Sequence, residues 1–238
     1  MSRPRSGGDS EVDAAEVAPT LPWWPEPRGG ALDLDEIARV ATDLIDEGGV
    51  AHLTMRRLAE ALDVAPMGLY WYVANRDELL TVVRDAAFAA VLDALVTDAG
   101  WNATLRSVAL ALRSEVVVGH PNLLPVVASS EYLPGPNVLT MIDRVLGVLR
   151  AEGFSSYDAT WAFQMISSLA LDRPADAGDL EMLVGEGLES FPALTAVMND
   201  FADQDPGGLG RSALFETTID AALAGIGAMI DRREPTAR

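Results

Sequence analysis

The chain of 238 residues contains no cysteine and only two histidines, His52 and His120. Without cysteine, neither a disulfide framework nor a thiolate metal site can form. The sequence also lacks a glycine-rich phosphate loop and a His-x-x-x-His spacing, so the usual constellations of catalysis and metal binding are missing. We therefore expect no enzymatic activity, no metal and no cofactor, and structural roles for both histidines. A carboxylate-based hydrolase is a remote alternative.

Long apolar runs are missing as well. No stretch of about 18 uninterrupted apolar residues occurs, and the first residues do not form a basic-then-apolar leader, so neither membrane insertion nor secretion is expected. Together with the missing cysteines, these absences favour a soluble protein of the cytoplasm.

Positive charge is scarce, with 17 basic residues against 36 acidic ones and a net charge of −19. This balance argues against strong non-specific binding to nucleic acid. A specific site is still compatible with it, because the field at the contact face matters more than the sum over the chain. Residues 31–80 are also acidic, with four arginines against ten acids, but Arg56, Arg57 and Arg76 flank their central segment.

What the chain does contain is a pattern of two short helices and a tight turn within residues 54–80. Thr54 is a helix cap, and apolar residues follow it at helical spacing. Pro66 fits best in the first turn of a new helix, and Asn75 with Glu78 forms a cap-and-return pair that opens a third helix. The segment between these two breaks is too short to pack by itself. The pattern predicts a helix-turn-helix whose second helix enters a DNA major groove.

Two stretches also carry a family resemblance. Similarity to the DNA-binding domain of the TetR family of bacterial transcription regulators is carried by Leu58-Ala59, Val64, Gly68-Leu69-Tyr70-Trp71-Tyr72-Val73, Asn75-Arg76 and Leu79-Leu80. Similarity to the effector domain of the tetracycline-repressor branch is carried by Leu149-Arg150-Ala151-Glu152-Gly153-Phe154-Ser155. The resemblance extends over most of residues 31–232 and implies a ligand-responsive, DNA-binding regulator.

Helical spacing of apolar residues predicts an all-α fold in three parts. Residues 1–30, rich in Pro, Gly, Ser and acids, are expected to be a disordered tail, in which Trp23 and Trp24 either dock locally on the body or meet a partner. Residues 31–80 form a three-helix helix-turn-helix domain, and residues 81–238 form a larger helical domain for effector binding and dimerisation. A mobile loop is expected over residues 172–191. No β-strand pattern and no internal repeat is found.

Taken with the resemblance, the helix-turn-helix predicts which residues meet DNA. Tyr70, Tyr72 and Arg76 are expected at phosphates, and the helix start at Asn75 is expected to offer backbone donors to a phosphate. Arg56 is the candidate for guanine readout, because its fork matches guanine O6 and N7. The full predicted set is Thr54, Arg56, Ala65, Pro66, Met67, Gly68, Tyr70, Tyr72, Asn75 and Arg76.

The last long helix, expected over residues 211–232, combines a 4-3-4-3 repeat of apolar residues with many alanines and glycines. With the apolar helix over residues 156–171, it predicts a two-fold four-helix interface between two copies of the chain. An ordinary bundle within one chain is the alternative. The residues assigned to the interface are Trp161, Ile166, Phe215, Ile219, Ala222 and Ile226.

An effector pocket in the second domain is expected to be apolar, with Gln164 and Tyr132 as its few hydrogen-bonding groups. The predicted lining is Leu92, Leu112, Tyr132, Ile142, Val145, Phe163, Gln164 and Met165. Such a lining selects a large hydrophobic molecule, while a filled core is the alternative. In the tetracycline-repressor branch, histidines at the places of Leu92 and Ser129 hold the drug and its magnesium ion. Their absence here argues against tetracycline and against a metal.

These observations predict a homodimeric repressor of a nearby transport or metabolic gene. It would bind a palindromic operator and be released by a hydrophobic small molecule that moves the helix over residues 75–94. The alternative is a protein-interaction adaptor whose helix-turn-helix no longer binds DNA, which the acidic charge favours.

Overall fold

The computed structural model describes residues 21–25, 32–172, 191–193, 195–196 and 210–231. Within these residues every regular element is a helix, which confirms the predicted all-α class. Most of the expected tail and most of the expected loop over residues 172–191 lie outside the described residues.

The N-terminal unit begins with α1 (Leu34–Gly48), which is followed by a 3₁₀ turn (Val50–His52), α2 (Met55–Ala61) and α3 (Pro66–Leu69). Side-chain caps start the longer helices: Asp33 accepts from the Glu36 N–H at 2.6 Å, and Thr54 accepts from the Arg57 N–H at 3.2 Å. Between α2 and α3 the backbone turns through Asp63, whose φ of 52° lies in the left-handed region. Asp is one of the few residues that tolerate this conformation. The sharp turn holds α3 against α2.

Helix α4 (Arg76–Asp93) joins the two domains. Its start carries the predicted cap: Asn75 accepts from the Glu78 N–H at 2.9 Å, and the Glu78 carboxylate accepts from the Ala74 N–H at 2.5 Å. The boundary that the sequence predicts between residues 80 and 81 falls inside this continuous helix. Helix α4 therefore belongs to both domains.

The second domain contains α5 (Gly100–Ala111), a π-helical segment (Leu112–Val118), a 3₁₀ turn (Pro121–Leu123), α6 (Leu124–Val127), α7 (Pro136–Ala151), α8 (Ser156–Leu171) and α9 (Gly210–Asp231). The helix that the sequence predicts over residues 101–118 therefore changes from α to the wider π form after Ala111. Its buried residues and those of α4, α7 and α8 belong to the hydrophobic core that also includes α1.

Helices α8 and α9 present apolar surface to the outside of the protomer. On α8, Tyr157 is 74% exposed and Trp161 is 37% exposed. In α9, Ala213–Ile230 is the one stretch among the described helices that is long and apolar enough to cross a membrane by length and composition. Only part of that stretch is buried against the rest of the chain, with Leu214 and Met229 exposed.

Five residues of the expected tail, 21–25, lie against the second domain. The Trp23 indole N–H donates to the Pro134 carbonyl at 3.0 Å, and Trp24 packs against the hydrophobic core. Local docking of the two tryptophans is therefore the correct one of the two alternatives. The indole rings find apolar surface and a hydrogen-bond acceptor on the body.

Candidate DNA-binding face and effector domain

The recognition helix α3 presents its apolar and aromatic side chains to the outside. Met67 is 74% exposed and Trp71, just beyond the helix, is 66% exposed, whereas Leu69 is completely buried and anchors the turn. Tyr70, Ala65 and Pro66 are exposed too, and at Gly68 a Cβ atom would meet nothing within 4 Å. Large exposed apolar groups on one short helix mark a contact surface.

Trp71 is missing from the predicted set of DNA contacts. It follows α3 directly, and its place in the aromatic run Tyr70-Trp71-Tyr72 is the signal in the sequence that could have identified it.

Arg56 lies on the outer face of α2. Its Nε is 3.7 Å from the Glu60 carboxylate, and both side chains are mostly exposed. An exposed pair of this kind contributes only about 0.3–0.5 kcal/mol, so a phosphate or a guanine can compete for the guanidinium. Thr54, on the same side of the turn, is exposed while its hydroxyl caps α2.

The guanidinium of Arg76 does not point freely into solvent. It donates to the Val50 carbonyl at 2.8 Å and to the Leu53 carbonyl at 3.3 Å, and so ties the start of α4 to the loop between α1 and α2. The sequence predicts a phosphate contact for Arg76, whereas these bonds give it a structural role that positions the helix-turn-helix. A phosphate contact remains a prediction for its free nitrogen edge.

Three further groups of this face are engaged within the protomer: the Tyr72 hydroxyl, the Arg57 guanidinium and the Ala74 N–H. The Tyr72 hydroxyl is 3.4 Å from the Leu32 N–H and accepts from it, and the Tyr72 side chain is half-buried. Arg57 lies 2.5 Å from the His52 ring and also donates to the His52 carbonyl, which agrees with a structural role for that histidine. Because the Glu78 carboxylate occupies the Ala74 N–H, a phosphate at the start of α4 has to compete with it.

The predicted effector residues are mostly internal. Leu112 and Val145 are buried, and five more are partly buried and packed against the core: Leu92, Tyr132, Ile142, Phe163 and Met165. Gln164 is a correction, because its side chain is exposed on the same face of α8 as Trp161. Two residues along a helix correspond to a rotation of about 200°, so Gln164 points away from the side on which Ala162 is buried. The interior therefore loses one of its two predicted hydrogen-bonding groups.

A buried carboxylate that the sequence analysis misses joins α4 to α7. Asp85 is 2% exposed and accepts from the backbone N–H groups of Asn137 at 3.1 Å and Val138 at 3.0 Å. It thereby caps α7, whose own N-cap residue Gly135 has no side chain. The missing cap could have been noticed in the sequence, but not the residue that supplies it.

Burial and neighbouring charges shift the pKa of the Asp85 carboxyl group. Burial raises the pKa of Asp85 above its ordinary value of 3.8, and the negative charge of Asp35 adds to that, whereas the two backbone N–H bonds and Arg84 oppose it. Arg84 donates to the Tyr132 carbonyl at 2.6 Å, and burial lowers its pKa. The α4–α7 contact is thus a buried polar joint inside an apolar domain.

A second polar contact connects the domains. The His120 ring nitrogen lies 2.5 Å from the Asp46 carboxylate of α1, and the Asn122 amide donates to the Asp46 carbonyl at 2.9 Å. His120 directly precedes the 3₁₀ turn that follows the π-helical segment. Its structural role, expected from the sequence, is to dock the second domain on the first.

Three of the six residues that the sequence predicts for the dimer interface are not accessible to a partner. Ile166 and Ile219 have no exposed surface and Ile226 is 2% exposed, so the protomer's own core covers them. Phe215 and Ala222 are partly buried against the same core, which leaves Trp161 as the exposed member. Helix α9 is held in this orientation by an ion pair between Arg106 and Asp220 and by the Arg113 guanidinium, 5.0 Å from the centre of the Phe215 ring. The seam that looked like a dimer contact packs inside one chain.

Across the part of the chain that the structure describes, no three His, Cys, Asp or Glu side chains come close enough together to hold a metal ion.

Two family comparisons cover most of the chain. Residues 37–83 match the bacterial regulatory proteins of the tetR family, and residues 95–230 match the tetracyclin repressor-like C-terminal domain. An HTH-type transcriptional regulator of Saccharopolyspora erythraea is 31% identical over 166 residues, which are 68% of this chain and 70% of that protein.

Solved structures have the same fold. A possible TetR family transcriptional regulator from Streptomyces coelicolor A3(2) is 30% identical, with a TM-score of 0.67, over 83% of this chain and 100% of that one. The TetR family protein ActR of Streptomyces coelicolor, in complex with (S)-DNPA, is 26% identical, with a TM-score of 0.62, over 84% of this chain and 98% of that one. The chain belongs to the TetR family of DNA-binding, ligand-responsive transcriptional regulators, with a C-terminal domain of the tetracycline-repressor type.

Proposed function

We propose that this protein is a cytoplasmic repressor that binds a palindromic operator as a homodimer and leaves it when a hydrophobic small molecule binds the second domain. The observation that carries the proposal is the exposed surface at α3, formed by Met67 on the helix and by Tyr70 and Trp71 directly after it. In a helix-turn-helix this surface enters the major groove.

Base reading is assigned to Arg56, with apolar contacts from Met67 and Gly68. A bidentate contact between an arginine and a guanine discriminates against a wrong base by about 1–3 kcal/mol. Tyr70 and the exposed Trp71 are assigned to the sugar-phosphate backbone beside it. Because the chain carries a net charge of −19, specific contacts have to supply a large share of the affinity.

Selection from a random double-stranded DNA library tests this assignment. We expect the wild-type protein to enrich an inverted repeat, and Arg56→Ala to lose preference at one base pair in each half-site. Arg39→Ala is the matched control, because Arg39 forms a similar exposed pair with Asp43 on α1, at 3.1 Å. Equal base preferences in all three proteins would refute the role of Arg56. No enriched sequence with the wild type would favour the adaptor alternative.

The homodimer is supported by the apolar surface that α8 and α9 leave uncovered. Tyr157 and Trp161 on α8 and Leu214 and Met229 on α9 are large apolar side chains with substantial exposure. Burying a large apolar side chain is worth about 1.5–3 kcal/mol relative to leaving it exposed. Pairing about a two-fold axis would cover this surface in both protomers at once.

The effector is proposed to be a large, mostly apolar molecule bound without metal. Support comes from the apolar character of the remaining predicted lining and from the fold shared with ActR, whose structure contains (S)-DNPA. Hydrophobic compounds should raise the thermal midpoint equally with and without magnesium. A shift that requires magnesium would contradict this proposal, and no shift with any compound would favour a filled core.

A further inference from the structure

The segment Leu21–Pro25 precedes the helix-turn-helix in sequence but lies on the second domain. A turn closed by the bond from the Trp24 N–H to the Leu21 carbonyl, 3.0 Å long, presents both indoles to the body. The Trp23 indole bonds to Pro134, and Pro25 is buried. Seven residues later, the Leu32 N–H donates to the Tyr72 hydroxyl, at the end of the recognition segment. Leu21–Pro25 thus contacts the second domain, and Leu32 contacts the first.

Trp24 lies directly on the α4–α7 joint, which we define as Asp85, Gly135, Asn137 and Val138. A Cβ atom at Gly135 would overlap both the Trp24 ring and the Asp85 carboxyl group. The backbone at Gly135 is extended, with φ of −91°, so its conformation does not demand glycine. The close approach of the indole and the carboxylate does.

Helix α4 makes this joint important for DNA binding. Its first residue, Arg76, is bonded to the loop before α2, and its tenth residue is Asp85. Next to Asp85, Arg84 holds the Tyr132 carbonyl in the loop that leads to α7. Asp85 and Arg76 thus belong to one continuous helix that contacts α7 at one residue and the loop before α2 at the other.

We propose that Leu21–Pro25 is an intramolecular strap that covers the α4–α7 joint and thereby stabilises the position of α4, the helix that begins next to the DNA-binding turn. Trp24 excludes water from the bonds between Asp85 and α7, and Trp23 anchors the segment to the adjoining loop. An effector that moves α4 has to work against this strap. The effect of the strap on operator binding (the coupling step) depends on the proposed function, whereas the packing of Trp24 on the joint (the packing step) does not.

Amide hydrogen exchange of the full chain tests the packing step. In Trp24→Ala, exchange at the Asn137 and Val138 amides should rise about tenfold or more, since their bonds to Asp85 become open to water. Trp23→Phe keeps an aromatic ring but loses the bond to Pro134, so a smaller rise is expected. Val118→Ala, which removes an exposed apolar group elsewhere in the domain, is the control and should change neither amide.

Unchanged exchange at both amides in Trp24→Ala would overturn the strap. An equal rise throughout the chain, including the Leu58 amide of α2, would also overturn it, because Trp24 would then be an ordinary core residue.

The coupling step is tested on the operator obtained by selection with the wild type. Trp24→Ala should bind it about 3- to 10-fold more weakly, because the binding-competent orientation is less populated. If Trp24→Ala shows faster exchange at the Asn137 and Val138 amides but binds the operator with wild-type affinity, the coupling step is overturned. If the wild type binds no DNA, the proposed function fails by itself, and hydrogen exchange still decides whether the strap exists.

Discussion

Placing a charge on the exposed face of α9 tests whether two protomers meet there. Ala221 is exposed and lies on the side of α9 opposite the buried Ile219 and Leu223. In an isolated protomer, Ala221→Glu would cost at most about 0.7 kcal/mol of helix propensity. At a two-fold interface it would bury two unpaired carboxylates, each costing about 3–5 kcal/mol. Since each 1.4 kcal/mol is tenfold, the dimer dissociation constant should rise by more than about 10⁴.

Sedimentation velocity over a concentration series measures that constant. Ala90→Glu is the matched control, because Ala90 is an exposed alanine within α4 and its substitution adds the same charge. We expect a folded monomer for Ala221→Glu, with helical circular dichroism retained, and a dimer for both the control and the wild type. A dimer of unchanged affinity in Ala221→Glu would refute an interface on this face of α9.

Three further changes have defined outcomes. Arg76→Ala leaves two backbone carbonyls without their donor and should lower the free energy of unfolding by about 1–3 kcal/mol, measured by urea titration; an effect on DNA affinity alone would contradict the structural role. His120→Ala removes the side-chain partner of Asp46 and should lower the thermal midpoint and speed amide exchange in the following 3₁₀ turn. Burial raises the pKa of Asp85 above its ordinary value of 3.8. At a pH between these two values the folded state binds more protons than the unfolded state. The free energy of unfolding therefore falls as the pH rises through that window. Asp85→Asn should remove this fall from the urea unfolding profile, and an identical profile in the variant would contradict the assignment.

Helix starts could be predicted from the sequence because the residues that form them lie within a few positions of one another. Thr54 and Asn75 cap the helices that follow them through hydrogen bonds to residues three positions later, and Pro66 opens α3. Residue types at such short spacing can be recognised in the sequence. The aromatic run after Gly68 carried enough of the family pattern to identify the class of protein.

Contacts between residues that are far apart along the chain could not be predicted from the sequence pattern. Asp85 caps a helix that starts 51 residues later, and Arg76 bonds to carbonyls 23 and 26 residues earlier. Nothing in local spacing selects those partners. The inward orientation of Ile219 was equally hidden, because a 4-3-4-3 apolar repeat looks the same whether it packs within one chain or between two.

Methylation interference on the selected operator is the most direct test of the central claim. Methylation of guanine N7 blocks the major-groove edge that the Arg56 fork and the exposed side of α3 would approach. Two recognition helices related by two-fold symmetry should give interference at equivalent guanines in two half-sites, about 10 base pairs apart centre to centre. Binding that is insensitive to N7 methylation, or interference confined to one half-site, would contradict a symmetric dimer reading the major groove through α3.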